Sequence, residues 1–467
     1  MKVGSYAVAQ MVGDWQEGPG PGHRRLSDRL RLLILDGRIA LGAALPSERD
    51  LAGALAVSRT TVGAAYRTLA EHGYLATRSR ARATVRLPDE ASGRVPERTD
   101  PEAVDLSVAA PAAPVEILHA AFASALRRLP HHFGRHGYDP YGVGELRAAV
   151  ADWYGRRGLP TTPGQIMVTN GAQHALALLT RTLVAPRDKV LIDHPTYPHA
   201  IRLFTEARAR LVPVALTPSG WDVPQWRAAA RDAALAYLVP DFHNPTGLCM
   251  PSGVRRELRP GCLTVVDETM ADLALDGAPD AVGPEPLAAR VPDAVSVGSV
   301  SKSVWGGLRI GWIRARPALL ERVVRNRPVT DLGTPVLEQL ATAVLLDERR
   351  TRRPEALGEL RSRRAVLVRE LGERLPEVEV PCPAGGLTLW ARFPGPVASR
   401  LAAVAPDHGV TVAAGPRFGV GGAFERHVRL PFTLPPELLV QGVERLAAAR
   451  DAVARGAFGH HVPAPTA

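Results

Sequence analysis

Cysteine is scarce in this chain, and long apolar runs are absent from it. The three cysteines, Cys249, Cys262 and Cys382, form no CxxC pair and leave an odd number, so we expect a reducing cytoplasm and no disulfide framework. No apolar run approaches the ~20 residues that a membrane helix needs. The first residues also lack the basic start and apolar core of a signal peptide. These absences favour a cytoplasmic protein that does not enter a membrane.

Lysine is equally scarce, although the chain is basic. Only Lys2, Lys189 and Lys302 are lysines among 57 lysines and arginines, and the formal net charge is +10. Lys302 lies in residues 299–309, between two apolar stretches that favour strands, with hydroxyls, two glycines and an arginine around it. A desolvated lysine can form a Schiff base, which arginine cannot. The segment therefore predicts a reactive amine beside a phosphate cradle; the alternative is a surface lysine on a loop.

Glycine and proline do not dominate the composition. They number 43 and 42 of 467 residues, below the combined share of roughly 25–30% that marks disordered chains. Most of the chain should therefore fold, and its length suggests about three domains. Residues 1–22 and 457–467 are predicted to be flexible tails, and residues 88–103, which hold several prolines and few apolar side chains, are predicted to be a linker.

Residues 23–87 carry helical periods and cap signals. The apolar face of a first helix combines Leu26, Leu30, Leu33 and Ile34. Ser47 and Ser58 are predicted to cap a second and a third helix, and two short strands follow at residues 74–76 and 83–85. The order of helix, helix, tight turn, helix and hairpin is that of a winged helix-turn-helix.

Positive charge is concentrated in the same segment. Residues 23–87 hold twelve arginines and five acidic side chains, which is the electrostatic footprint of DNA binding. The third helix carries hydroxyls and an arginine at its start, where such a helix meets bases and phosphates in the major groove. The alternative is a small three-helix domain with a solvated basic face.

Two motifs of this segment resemble the signature of the GntR class of bacterial winged-helix regulators. They are residues 45–52 (LPSERDLA) and 57–62 (VSRTTV). The wing differs from the family pattern because it has no glycine, but its charge favours contact with phosphates or the minor groove. The DNA-contacting side chains implied by the resemblance and the wing charge are Arg49, Ser58, Arg59, Thr60, Thr61, Arg78, Arg80 and Arg82.

Residues 104–456 alternate helical patterns with short β-branched runs, which is typical of an α/β domain with a mostly parallel sheet. Ligands bind such sheets beyond the carboxyl ends of the strands. Polar motifs follow several of the predicted strands here, including Asn244 in HNPTG and Asp267 after residues 263–266. The pattern predicts that these side chains meet at one edge of the sheet.

The motifs resemble, in the same order, those of fold-type I aminotransferases, which use pyridoxal 5'-phosphate (PLP). The resemblance implies that Lys302 binds the cofactor aldehyde as an internal aldimine, and that Asp267 keeps the pyridine nitrogen protonated so that the ring can draw electrons. Asn244 would bond the phenolic oxygen, and Tyr197 would stack on the ring. The phosphate would be held by Ala172, Gln173, Ser299, Ser301 and Arg309. A small C-terminal α/β subdomain is also expected.

One position departs from the aminotransferase pattern. Thr269 and Met270 stand where family members usually carry a tyrosine that bonds the phenolic oxygen. Thr269 has a hydroxyl that can donate, on a shorter side chain, and we include it among the cofactor-binding residues. Arg429 matches the arginine that binds a substrate carboxylate through its planar fork. No metal site is expected.

The two halves together resemble the MocR-type regulators of the GntR class. This resemblance implies a cytoplasmic homodimer that reads two DNA half-sites and responds to PLP or to an amino compound. One alternative is a working aminotransferase with an accessory DNA-binding domain. Another is a DNA-binding protein whose large domain serves only for dimerisation, and this alternative predicts a colourless protein.

Overall fold

The protein is described here from a computed structural model, which covers residues 2–17, 20–76, 82–87, 102–277, 284–291 and 293–457, with the side chains of 348–354 left out. The chain forms two compact units. The first combines Met1–Val108, Ala365–Pro381 and Leu389–Ala467, and the second combines Ala109–Arg364 and Cys382–Thr388. Among the described residues, no helix has both the length and the apolar character required to cross a bilayer.

The first unit begins with the winged helix-turn-helix that the sequence predicts. Its helices and strands are α1 (Ser5–Val12), α2 (Gly22–Leu35), α3 (Glu48–Leu55), α4 (Arg59–Glu71), β1 (Leu75–Ala76) and β2 (Thr84–Val85). The strands pair antiparallel, with Leu75 opposite Val85. The predicted face of α2 is buried throughout, and the Ser47 and Ser58 side chains accept hydrogen bonds from the amides of Asp50 and Thr61, each at 3.1 Å.

Helix α1 lies where the sequence predicts a flexible tail. Val8 and Val12 are fully buried and Trp15 is nearly so, and all three join the core of α2–α4. The tail prediction is therefore wrong for this stretch, because an eight-residue helix without cap signals is stabilised by packing and not by its own sequence. Most of the predicted linker and of the C-terminal tail lies outside the described residues.

The first unit also contains the C-terminal α/β subdomain. Its elements are β3 (Val104–Leu106), β12 (Thr388–Arg392), α13 (Ala398–Val404), β13 (Val410–Ala414), β14 (His427–Pro431) and α14 (Pro436–Ala454). The sheet order is β12-β14-β13-β3, in which β3 runs parallel to β13 and β14 antiparallel to it. Helix α2 of the winged domain packs against α13 of this subdomain.

The second unit is built on an eight-stranded sheet. In chain order its strands are β4 (Ile166–Thr169), β5 (Lys189–His194), β6 (Arg210–Thr217), β7 (Gly220–Trp221), β8 (Leu235–Leu238), β9 (Leu263–Asp267), β10 (Val295–Ser299) and β11 (Gly311–Arg314). The spatial order is β4-β11-β10-β9-β8-β5-β6-β7. The central strands β10, β9, β8, β5 and β6 run parallel, which confirms the predicted fold class.

Helices connect these strands. They are α5 (Val115–Arg128), α6 (Gly144–Arg156), α7 (Ala172–Leu183), α8 (Pro198–Glu206), α9 (Val223–Ala230), α10 (Ser252–Glu257), α11 (Pro317–Asn326) and α12 (Val336–Arg374). Short 3-10 turns lie at Leu129–His132, Pro163–Gln165, Leu287–Ala289, Gly306–Leu308 and Arg327–Val329, and in the first unit at Ala405–His408 and Gly415–Phe418. In the parallel part of the sheet, β8, β9 and β10 end next to one another, so the segments that follow them meet at one edge.

Candidate cofactor site and DNA-binding surface

Lys302 lies three residues beyond the end of β10, in the second unit. Its Nζ donates a hydrogen bond to the Ala109 carbonyl at 2.7 Å. Together with residues 111–117 and the adjoining part of α12, it lines a cavity of about 450 Å³. Lys189, by contrast, forms an ion pair with Asp232 at 3.3 Å, and its side chain is 39% exposed. Lys302 is therefore partly buried and borders a space large enough for a small molecule.

The hydroxyls and the arginine of the same segment converge beside the start of α7. Ser299 Oγ lies 2.8 Å from Ser301 Oγ, and it also donates to the Ile310 carbonyl at 2.9 Å. Arg309 Nη2 donates to the Asn170 carbonyl at 3.3 Å. Gly171 has φ +81, and a Cβ built on it would lie 2.8 Å from Arg309 Nη2. This close approach explains a glycine at the turn into α7.

The start of α7 supplies donors to this cradle. Ala172 and Gln173 are the first two residues of the helix, so their amides have no partner within it, and such amides suit an anion. Gln173 Oε1 is buried and has no hydrogen-bond partner among the described residues. Two hydroxyls, a guanidinium and a helix N-terminus form the kind of donor set that binds a phosphate.

Asp267 ends β9 and is held from two sides. Tyr237 Oη on β8 donates to Asp267 Oδ2 at 2.8 Å, and the Thr269 hydroxyl and amide donate to Oδ1 at 2.7 and 3.0 Å. Burial raises the pKa of Asp267, while the bonds from Thr269 and Tyr237 and the charge of Lys302 oppose that rise. The structure thus uses the Thr269 hydroxyl to hold a carboxylate. This differs from the expectation that it faces a phenolic oxygen.

Asn244 and Tyr197 follow neighbouring strands of the same sheet. Asn244 is buried in the loop after β8, which is braced by a 3.0 Å contact between His243 Nδ1 and Thr246 Oγ1. Tyr197 caps α8 and is half-buried, with its ring 5.3 Å from that of His199. Both residues therefore follow strands that end at the same edge of the sheet as β9 and β10.

A buried charge network lies behind these loops and was not predicted from the sequence. Arg157 and Glu268 are fully buried, 3.9 Å apart, and Arg157 also pairs with Asp241 at 3.4 Å. Arg255 bonds the other Asp241 oxygen. Burial raises the pKa of Glu268, and Arg157 opposes the rise. Because Asp241 and Glu268 are close in sequence to Asn244 and Asp267, the network anchors both loops.

Taken together, the second-unit residues fit a phosphorylated pyridine aldehyde. The Arg309 cradle suits a phosphate, Lys302 offers an amine, and the buried Asp267 carboxylate suits a protonated ring nitrogen. The cavity beside Lys302 is lined by none of Arg309, Asp267 and Asn244. Among the described residues, no cluster of histidine, cysteine and acidic side chains could hold a metal ion.

Arg429 lies on β14 in the first unit. It is almost fully buried, its Nη2 donates to the Ser107 carbonyl, and its guanidinium lies 5.0 Å from the ring centre of Phe418.

The predicted DNA-binding side chains gather at the start of α4 and beside it. Ser58, Arg59 and Thr60 are exposed, and the Arg59 side chain, 75% exposed, pairs with Glu48 at 3.2 Å. Thr61 is partly exposed, with Oγ1 2.8 Å from Ser58 Oγ. Arg49 is exposed on α3, and Arg82 lies 3.8 Å from Asp50. Arg78 and Arg80 lie outside the described residues.

Comparison with known proteins identifies both halves. Residues 23–85 match the family described as bacterial regulatory proteins, gntR family, and residues 104–446 match aminotransferase class I and II. A relative from Rhizobium meliloti, named as the probable rhizopine catabolism regulatory protein MocR, is 30% identical over 66% of this chain and 68% of its own. The chain belongs to the MocR-type GntR regulators.

A further relative is a regulator, and a solved structure resembles the aminotransferase-like domain. The pyridoxine biosynthesis transcriptional regulator PdxR of Corynebacterium glutamicum is 30% identical to this MocR-type chain over 78% of the chain and 81% of its own length. The crystal structure of LysN, an α-aminoadipate aminotransferase from Thermus thermophilus complexed with N-(5'-phosphopyridoxyl)-L-leucine, is 28% identical with a TM-score of 0.69. It covers 76% of this chain and 94% of that one. The protein is thus a helix-turn-helix transcription regulator with an aminotransferase-like domain.

Proposed function

We propose that this MocR-type regulator binds PLP at Lys302 and changes its affinity for DNA when PLP or an amino compound occupies the site. The observation that carries the proposal is the position of Lys302. In a chain with three lysines, this one lies three residues beyond the end of β10, and its charge opposes the rise in the pKa of the buried Asp267.

Different residues of the second unit would bind different parts of PLP. Arg309, Ser299, Ser301 and the start of α7 hold the phosphate, and Lys302 offers its amine to the aldehyde. Asp267, held by its bonds from Tyr237 and Thr269, pairs with the ring nitrogen and keeps a proton on it. Asn244 bonds the phenolic oxygen, and Tyr197 covers the ring. Bound PLP supplies an aldehyde that captures amines and a ring that withdraws electrons.

Arg429 defines the class of effector. As the matching arginine of aminotransferases does, it would bind a carboxylate through two parallel hydrogen bonds, so the effector is an amino compound that carries a carboxylate. Such a ligand shifts the DNA affinity only by favouring one arrangement of the protein over another.

We further propose that the regulator works as a cytoplasmic homodimer that reads two half-sites. The second unit exposes large apolar side chains, which mark protein interaction sites when they cluster. Phe133, Tyr138, Val329 and Leu332 are 53–70% exposed. Gly333 packs against Asp139, so the segments that carry these side chains are neighbours. A second copy would bury them, and a dimer brings two α4 helices to one DNA.

Absorbance tests the cofactor proposal directly. The purified protein with PLP should show a visible band that Lys302→Ala abolishes and Lys189→Ala keeps. The latter variant is a matched control because Lys189 lies on the surface beside Asp232. A colourless wild-type protein, or a Lys302→Ala variant that keeps the band, would rule out the assignment of Lys302.

A measurement of amino-group transfer distinguishes a sensor from a working aminotransferase. The sensor predicts that wild-type protein with PLP binds an amino acid, seen as a spectral shift, without passing its amino group to a 2-oxo acid over many cycles. Sustained transfer to pyruvate would instead establish an aminotransferase with a DNA-binding domain.

A further inference from the structure

Arg29, in the middle of α2, is held between the winged domain and the C-terminal subdomain. Its side chain is 4% exposed and lies 3.1 Å from Glu425 Oε2. It also donates to Ser399 Oγ and to the Val12 carbonyl, each at 2.9 Å. Glu425 in turn accepts from the Ser399 hydroxyl at 2.7 Å. Because a buried charge without its partner is strongly unfavourable, these groups favour one docked position of α2.

The end of α2 is held by a second loop. Asp36, which caps the helix, pairs with Arg417 at 2.9 Å, and both side chains are less than one-fifth exposed. Arg38 Nη1 donates to the Pro416 carbonyl at 3.3 Å. Both partners belong to the 3-10 turn Gly415–Phe418. Helix α2 is therefore fixed at two points by two different loops of the subdomain.

A backbone contact adds a third point. Gly422 has φ +74, and a Cβ built on it would lie 2.5 Å from the Val12 carbonyl oxygen and 2.6 Å from Gly13 Cα. The end of α1 thus approaches this loop so closely that only glycine fits. We call residues 415–418 and 421–425 the clamp loops.

The clamp loops border the strand that carries Arg429. Phe418 ends the first loop, and its ring centre lies 5.0 Å from the Arg429 guanidinium. Glu425 ends the second loop two residues before β14. A movement of Arg429 or of its strand therefore reaches Arg417 and Glu425 through adjacent residues, and those two side chains hold α2.

We infer that the clamp loops carry the state of Arg429 to the DNA-binding domain. Helices α2 and α4 share one core. A change in the position of α2 therefore also moves α4, the helix that is predicted to contact the bases. The inference rests on the proposed function, because it requires an effector carboxylate at Arg429. Beyond that function, the inference names the clamp loops as the contact through which an effector at Arg429 changes the affinity for DNA.

Gly422→Ala tests the clamp, and Gly421→Ala is its matched control. Gly421 has a similar φ of +63, but its added Cβ would meet nothing nearer than the Gln10 carbonyl oxygen at 3.9 Å. Both variants place an alanine at a positive φ, but only the first puts its Cβ against the end of α1. Circular dichroism and absorbance with PLP establish that each variant is folded and loaded.

The readout is the DNA affinity of the full-length protein for a fragment selected in vitro for binding it. Each protein is loaded either with PLP or with N-(5'-phosphopyridoxyl)-L-leucine, which carries the carboxylate that PLP lacks. In the wild type, the two loaded forms should differ at least about fivefold in affinity. The ratio should fall below about twofold in Gly422→Ala and persist in Gly421→Ala.

Charge exchange provides a second test that general destabilisation cannot imitate. Asp36→Arg and Arg417→Asp should each reduce the affinity ratio, and the double variant should restore most of it. The inference is overturned if Gly422→Ala and both single charge variants keep the wild-type ratio, or if the double variant recovers none of it. An equal affinity of the two loaded wild-type forms would instead reject the effector response of the proposed function, and the clamp with it.

Discussion

At the scale of single residues, Tyr237 and Thr269 donate to the two different oxygens of Asp267 and oppose the rise of its pKa. We expect Tyr237→Phe to weaken PLP binding about tenfold, since a hydrogen bond to a charged group contributes roughly 1.5–3 kcal/mol. Without that donor the pKa of Asp267 rises further and the carboxylate holds the ring proton less well. Titration of the apo-protein with PLP measures the effect. Tyr141→Phe, whose ring contacts Arg147, serves as control, and equal affinities would contradict the role of Tyr237.

Arg59 is the first residue of α4, and its side chain is 75% exposed. Arg59→Ala should lower DNA affinity by about 1–3 kcal/mol if the side chain reads a base, and relax specificity at one position. Arg67→Ala, exposed two turns further along the same helix, should cost less. Fluorescence anisotropy with the selected fragment and its single-base variants measures both effects. An unchanged affinity in Arg59→Ala would remove this residue from the DNA-binding surface.

The candidate site shows which residues could be predicted from the sequence. Lys302, Asp267 and Asn244 stand in motifs with local neighbours of definite chemistry. Each motif follows a predicted strand, so their position at the carboxyl ends of a mostly parallel sheet could be predicted. Tyr237 has no such signal. It lies within a wholly buried strand, and its bond to Asp267 depends on the register of β8 against β9. The Arg157 network was missed for the same reason.

At the scale of elements, the Ser47 and Ser58 side chains cap the starts of α3 and α4 and so fix where these two helices begin. Ser47→Ala should destabilise the winged domain by about 1 kcal/mol, because it removes the acceptor of the Asp50 amide. Ser252→Ala is the control, since no side-chain cap bond is described at the start of α10. Denaturant unfolding followed by circular dichroism compares the two variants. Equal stability would show that the cap bond contributes nothing.

The winged domain could be predicted almost helix by helix, because period, caps and turn residues are all local. Helix α1 could not. Val8, Val12 and Trp15 become a helix face only when the core of α2–α4 is present to receive them. The sheet of the second unit was predicted as a class and not in its order, since the placement of β11 between β4 and β10 joins residues far apart in the chain.

At the scale of the whole molecule, the burial of Asp28 predicts that the stability of the first unit depends on pH. It is buried beside Arg400, Arg31, Glu425 and Arg24, and burial raises its pKa to about 7. Neither carboxyl oxygen has a hydrogen-bond partner among the described residues. The folded state therefore keeps its proton where the unfolded chain loses it, and stability falls as pH rises from about 4 to about 7.

Asp28→Asn should remove this slope. Relative to the variant, wild-type protein should lose on the order of 4 kcal/mol between pH 4 and pH 8, because each tenfold change in proton affinity corresponds to about 1.4 kcal/mol. Denaturant unfolding at several pH values measures the difference. Asp14→Asn, an exposed change near the end of α1, should follow the wild type. Parallel profiles for wild type and Asp28→Asn would refute the assignment.

The partners of the contact between Arg29 and Glu425 lie 396 positions apart. A ribosome that adds about 5–20 residues per second therefore exposes α2 for roughly 20 to 80 s before its counterpart is made. During that interval Arg29, which is buried in the folded protein, is exposed to water. A chain truncated before residue 425 would contain the winged domain without the contact between Arg29 and Glu425. The contact between Arg29 and Glu425 can therefore hold α2 only after residue 425 has been translated.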